Sequence, residues 1–208
     1  MSRIDVISEY LDELIPNPVC ELKYTKDYEL LIAVMLSAQT TDKRVNSVTK
    51  ILFSKYDTLE KLAQADLEDI KNIIKPIGTF NKKAHFVKEI ATVLVNEYNS
   101  VMPIEREKLE SLPGIGRKTV NVVLGELYNY PLFAVDTHVS RVSKRLKLVY
   151  ENDDVLIIER KISKKFKKEE LAKRHKQMVL FGRYYCKSIK PMCDNCKLKD
   201  ICKYNKTK

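Results

Sequence analysis

Along this 208-residue chain apolar residues recur at the three- and four-residue spacing of a helix face, and no stretch alternates as a strand does. Ile4, Ile7, Leu11 and Leu14 mark a first helix, ended by Pro16 and Pro18. "ELLIAVMLSA" (29–38) is apolar almost all round, which predicts a helix buried on every side. Val45, Val48, Ile51 and Leu52 mark another face. Leu67, Ile70, Ile73 and Ile74 follow with Asp66 ahead as a cap, then Ala84, Val87, Ile90, Ala91 and Leu94. Val120, Val123, Leu124, Leu127 and Tyr128 form a strong stripe and predict a helix over 117–129. Val139, Val142 and Leu146 follow Asp136, which reads first of all as an N-cap. The expected fold class is all-α.

Glycine is rare, and three of the five glycines fall in breaks between predicted helices. At Gly78, Gly114 and Gly116 the backbone is expected to turn left-handed or to admit another molecule closely. "LPGIGRKTVNVVL" (112–124) holds two of them. Leu109 and Leu112 end one helix, P-G-x-G turns, and the next helix begins, so 109–129 reads as a helix-hairpin-helix. Amides of such a turn and of the first helical turn beyond it point outward together and suit a phosphate without reading bases. Gly114, Gly116 and Thr119 are the candidate contacts, against the plain alternative of a tight connection between antiparallel helices. Lys118 stands at the mouth of the second helix, where the dipole opposes the ammonium form and favours the free, nucleophilic amine.

Composition narrows the classes. Hydrophobic residues at 44% and charged residues at 32% suit one compact domain or two small ones, with Pro131 as the candidate seam. The longest apolar run, Leu30 to Leu36, is far short of the roughly 20 residues of a membrane span. The opening "MSRIDVISEYL" lacks a basic-then-apolar leader, so the expected location is the cytoplasm. A net charge of +10 favours a polyanionic partner, and the basic stretch 157–176 reads as a solvated helical surface.

Cys20 stands alone and is expected to be a small buried residue. Cys186, Cys193, Cys196 and Cys202 follow the spacing C-x6-C-x2-C-x5-C. Four thiolates so close enclose one zinc ion or one iron–sulfur cluster. With a single C-x2-C hook and uneven gaps, the spacing favours [4Fe–4S] over zinc, and zinc stays open. Lys187 and Lys190, between the first two cysteines, either touch a DNA backbone or offset the charge of the cluster.

With "LLIAVMLSAQTTDKRVN", "IKPIGTFNKKA", "LPGIGRKTVNVVL", "VDTHVSRV", "FGRYYC" and the four-cysteine tail in this order, the chain resembles the endonuclease III family of DNA glycosylases. The resemblance implies a six-helix barrel (22–131), a second helical domain built from 1–21 and 132–208 around a [4Fe–4S] cluster, and a cleft between them for double-stranded DNA. It implies a bifunctional base-excision enzyme, DNA glycosylase and AP lyase, acting on oxidised pyrimidines and abasic sites. Lys118 matches the nucleophile that attacks C1′ and forms a Schiff base, and Asp136 the carboxylate that assists base loss. Gln39 matches the residue inserted where the damaged base leaves the stack. Thr79 falls where relatives often carry a larger apolar wedge, which bears on opposite-base preference. His138 and Arg183 match positions near DNA and the domain seam. A monomer is expected. The competing readings are an alkylation- or mismatch-specific glycosylase of the same superfamily, a non-catalytic helix-hairpin-helix DNA-binding module, and a zinc-stabilised helical adaptor.

Overall fold

A computed structural model describes residues 2–204; residues 1 and 205–208, at the ends of the expected second domain, lie outside it. Its regular structure is helical, with no strand among the described residues. The chain divides into two compact units, Met1–Cys20 with Tyr128–Lys208, and Glu21–Leu127.

The continuous unit, Glu21–Leu127, carries α2 (Asp27–Leu36), α3 (Asp42–Lys55), α4 (Leu59–Ala63), α5 (Leu67–Ile74), α6 (Phe80–Tyr98), α7 (Arg106–Glu110) and α8 (Arg117–Leu127). Helix α2 is the buried centre that its all-round apolar sequence predicts: Tyr28 to Leu36 are buried without interruption. Glu29 satisfies its carboxylate on the Thr25 N–H at 2.7 Å and the Thr25 hydroxyl at 2.9 Å, which also fixes the entry to the helix. Asp66 caps α5 by accepting from the Glu68 N–H at 3.0 Å. The five predicted apolar positions of α6 are all buried. The stripe of α3 is narrower than expected, since Ile51 is 56% exposed while Val45, Val48 and Leu52 are buried. The predicted helix over 117–129 ends at Leu127, leaving Tyr128 exposed, and Asn129 takes a left-handed conformation just beyond.

The other unit joins α1 (Arg3–Leu14) to α9 (Thr137–Arg145), α10 (Val155–Ser163) and α11 (Leu171–Leu180), with a π-helical turn at Phe181–Tyr185 after α11. Ser2 and Asp5 cap α1 reciprocally. Ile7, Tyr10, Leu11, Phe133, Val139, Val142, Ile158, Ile162, Met178 and Phe181 share one core. Within 157–176, expected as a solvated helical stretch, Ile158, Ile162 and Phe166 are buried, and so is the charged Arg174, 3% exposed. Its guanidinium grips Asp12 at 2.8 and 2.9 Å and reaches Glu170 and Gln177. Pairing offsets the cost of burying the charge, and this pair ties α1 to α11 across 162 residues of sequence.

Candidate active site and cluster cysteines

The hairpin is built by three apolar anchors and a polar clamp. Leu109, Leu112 and Ile115 are buried beneath the turn, and Ile115 N–H closes it on the Leu112 carbonyl at 3.1 Å. Arg106 spans the two helices, donating to Glu110 at 2.8 Å in its own helix and to the buried Asn121 of α8 at 2.7 Å. Neither Arg106 nor Asn121 stands out by motif; a polar residue at 121 inside an apolar stripe is the signal in hindsight.

One of the three glycines turns left-handed, and the other two leave open space. Gly114 has φ +73, and a Cβ there would meet the Phe86 ring at 2.4 Å. Gly116 and Gly78 have ordinary φ and no atom within 4 Å of an added Cβ. At the second break it is Thr79, after Gly78, that turns left-handed with φ 56. A non-glycine residue there costs roughly 1 kcal/mol, so the surroundings must hold it.

Lys118 is the second residue of α8 and is exposed. The N–H groups of the first turn, Thr119 among them, have no acceptor within the helix, because its first internal bond runs from Val120 N–H to the Gly116 carbonyl at 3.1 Å. Asp136 belongs to the other unit. It caps α9 as expected, with Oδ1 accepting from the Val139 N–H at 2.7 Å. His138, half-buried in the first turn of α9, lies with Nδ1 3.1 Å from Arg141, and the missing side chain of Gly182 makes room for its Cβ. Arg183 is half-buried in the π-helical turn. Gln39 is exposed, also left-handed at φ 56, in the turn after α2.

Cys186, Cys193, Cys196 and Cys202 line one largely apolar cavity of about 190 Å³ with Tyr10, Phe181 and Tyr185 among its other walls. Two arginines of α9, which the sequence reading did not single out, organise its rim. Arg141 donates to the Cys186 carbonyl at 3.0 Å and the Gly182 carbonyl at 2.6 Å. Arg145 donates to the carbonyls of Lys187 at 2.7 Å and Ser188 at 3.2 Å, and reaches Cys186 Sγ at 3.4 Å. Burial pushes the Cys186 thiol up and Arg145 pulls against it; burial likewise raises Cys196. Among the described residues no three such side chains gather tightly enough for a single ion. A tetrahedral zinc would need sulfurs roughly 3.8 Å apart, from its 2.3 Å bonds. Four soft donors spread around one apolar cavity, with cations at the edge, fit the larger iron–sulfur group. Lys187 and Lys190 are exposed in the same loop, Lys190 with φ 50. Cys20 is only partly buried, contrary to expectation.

Residues 32–168 match the family model described as HhH-GPD superfamily base excision DNA repair protein. The chain is 39% identical to endonuclease III of Bacillus subtilis over 98% of its own length and 93% of that protein, and 38% identical to that of Escherichia coli K12 over 97% and 95%. This chain belongs to the endonuclease III family. It is accordingly a base-excision DNA repair enzyme, a DNA glycosylase and AP lyase. Among solved structures it is similar to a trapped endonuclease III–DNA covalent intermediate, with a TM-score of 0.93 and 40% identity over 100% of this chain and 98% of the other. A thermostable thymine-DNA glycosylase shares the fold at a TM-score of 0.88 and 23% identity, covering 99% and 98%.

Proposed function

We propose that this family member removes oxidised or ring-damaged pyrimidines from duplex DNA and then cuts the strand at the abasic site, with Lys118 as nucleophile and Asp136 as its acidic partner. The observation that carries the reading is the position of Lys118: an exposed amine in the first turn of the hairpin's second helix, in a chain 40% identical to an endonuclease III held covalently on DNA. A covalent intermediate requires a nucleophile, and an amine forms a Schiff base with an aldehydic sugar carbon.

The damaged nucleotide leaves the stack, at a cost of a few kcal/mol. Gln39 fills the gap on the lesion side and Thr79 faces the opposite strand with a smaller side chain than a leucine would offer. The amides around Gly114, Gly116 and Thr119 take a backbone phosphate, with His138, Arg183, Lys187 and Lys190 adding contacts along the duplex. Lys118 Nζ attacks C1′ and the base departs with the bonding pair. Asp136 takes the proton from the amine and stabilises positive charge on the sugar. The nitrogen lone pair then expels O4′ from C1′, and O4′ takes a proton as the sugar ring opens to the Schiff base. Loss of a C2′ proton from that Schiff base expels the 3′ phosphate with the C3′–O bonding pair, and water hydrolyses the imine to release the enzyme.

Cys186, Cys193, Cys196 and Cys202 would hold a [4Fe–4S] cluster, which supplies structure and no part of base removal. Arg141 and Arg145 fasten the loop that carries Lys187 and Lys190. The test is borohydride trapping on duplexes with thymine glycol, an abasic site, an alkylated base or a mismatch. A covalent adduct is expected with the first two and is lost in Lys118→Ala, which still binds DNA. Absence of adduct from the unmodified protein sinks the assignment, and adduct only with the alkylated or mismatched base reassigns the substrate.

A further inference from the structure

Lys83 is 5% exposed, a rare state for lysine. No ion pair to it is found among the described residues; its donors go to main-chain oxygens instead. Nζ donates to the Leu36 carbonyl at 2.9 Å and the Ala38 carbonyl at 2.7 Å, and lies 3.5 Å from the Thr40 hydroxyl. Leu36 ends α2, so the cation sits on the negative pole of that helix. The Ala38 carbonyl also accepts from the Thr40 hydroxyl at 3.3 Å. These acceptors bracket Gln39, exposed and left-handed. The main chain of Lys83 has a second role. Its N–H donates to the Thr79 carbonyl at 3.1 Å, the first hydrogen bond of α6, and Thr79 is the other left-handed residue in question.

We propose that Lys83 is a positioning residue for lesion opening: its side chain holds the Gln39 turn and its backbone the Thr79 turn, so the two enter the duplex as one rigid element. The inference rests on the base-excision reading, from which it takes the entry of Gln39 into the stack. Lysine suits the place because it has donors only, and the stem is long enough to reach past α6 into the end of α2. An apolar side chain of equal length would take the lysine donor from the Leu36 carbonyl and leave the Ala38 carbonyl with the Thr40 hydroxyl alone, and the strained Gln39 turn would lose its anchor. Burial lowers the lysine's affinity for its proton, so the contacts with the helix pole are what retain the charge.

The experiment compares Lys83→Met, Lys83→Arg, Gln39→Ala and the Lys83→Met/Gln39→Ala pair. Base release is measured on one lesion in a fully paired duplex and in a mismatched bubble, where unstacking is already done. Lys83→Met is expected to be roughly ten- to a hundredfold slower on the paired duplex and close to normal on the bubble. Lys83→Arg should recover most of the loss, and the pair should be no slower than Gln39→Ala alone. In the free protein, amide exchange at 38–40 should quicken in Lys83→Met while α8 keeps its protection. Equal losses on both substrates, full additivity, or unchanged exchange at 38–40 each overturn the proposal. If the unmodified protein leaves no borohydride adduct, the enzyme reading falls instead, and the exchange data still decide whether Lys83 holds the turn.

Discussion

Gly114→Ala isolates the one glycine whose conformation the hairpin requires. At φ +73 an alanine sits in the left-handed region, at a cost of roughly 1–2 kcal/mol. Its Cβ would also stand 2.4 Å from Phe86 Cδ2, 2.8 Å from Cε2 and 3.1 Å from Cγ. The ring must move away from the added carbon, and overpacking of this kind costs roughly 1–3 kcal/mol. The sum is about 2–5 kcal/mol, which lowers a urea midpoint by about 1–2.5 M at an m-value of about 2 kcal/mol/M. Gly116→Ala is the control, with ordinary φ and open space, and should unfold like the unmodified protein. The two terms separate in a cycle with Phe86→Ala. Without the ring, Gly114→Ala should cost only the left-handed part, leaving a coupling of about 1–3 kcal/mol. Urea unfolding followed by circular dichroism, with m-values compared, supplies the numbers. A Gly114→Ala protein as stable as its parent, or a cycle that is simply additive, would refute the reasoning.

Asp136→Asn keeps a side-chain oxygen for the Val139 N–H, so stability should change little while adduct formation falls on the order of a hundredfold or more; Asp136→Ala should cost about 1 kcal/mol of stability in addition. Asp12, held well below the ordinary carboxylate range by its hydrogen bonds to Arg174, contributes stability that is complete above the unfolded-state value and is lost as pH falls through the folded one. Asp12→Asn should therefore lower the urea midpoint at about pH 6 and flatten its decline toward about pH 3; a parallel decline in both proteins would contradict this. Arg145→Met removes the donor to Cys186 Sγ and to the two loop carbonyls, and should speed loss to a chelator of the absorbance of the proposed iron–sulfur cluster; an unchanged rate would show that the loop is fastened otherwise.

The helical class, the buried α2, the caps at Asp66 and Asp136, and the hairpin turn were all legible in the sequence. Each follows from short-range chemistry: apolar spacing, a capping oxygen, or a break next to proline. The four-cysteine spacing likewise pointed to a shared location, and the four cysteines line one cavity, because they lie within one short stretch. What only the tertiary structure decided are matters of distant contact. Which glycine is obligatory depends on the Phe86 ring, 28 positions before it in sequence. That Lys83 and Arg174 are buried depends on the carbonyls at the end of α2 and on the carboxylate of Asp12. Helical periodicity shows which face of a helix turns inward, but not which polar groups wait there. A buried charge is set by its partners, and folding brings those partners from elsewhere in the chain.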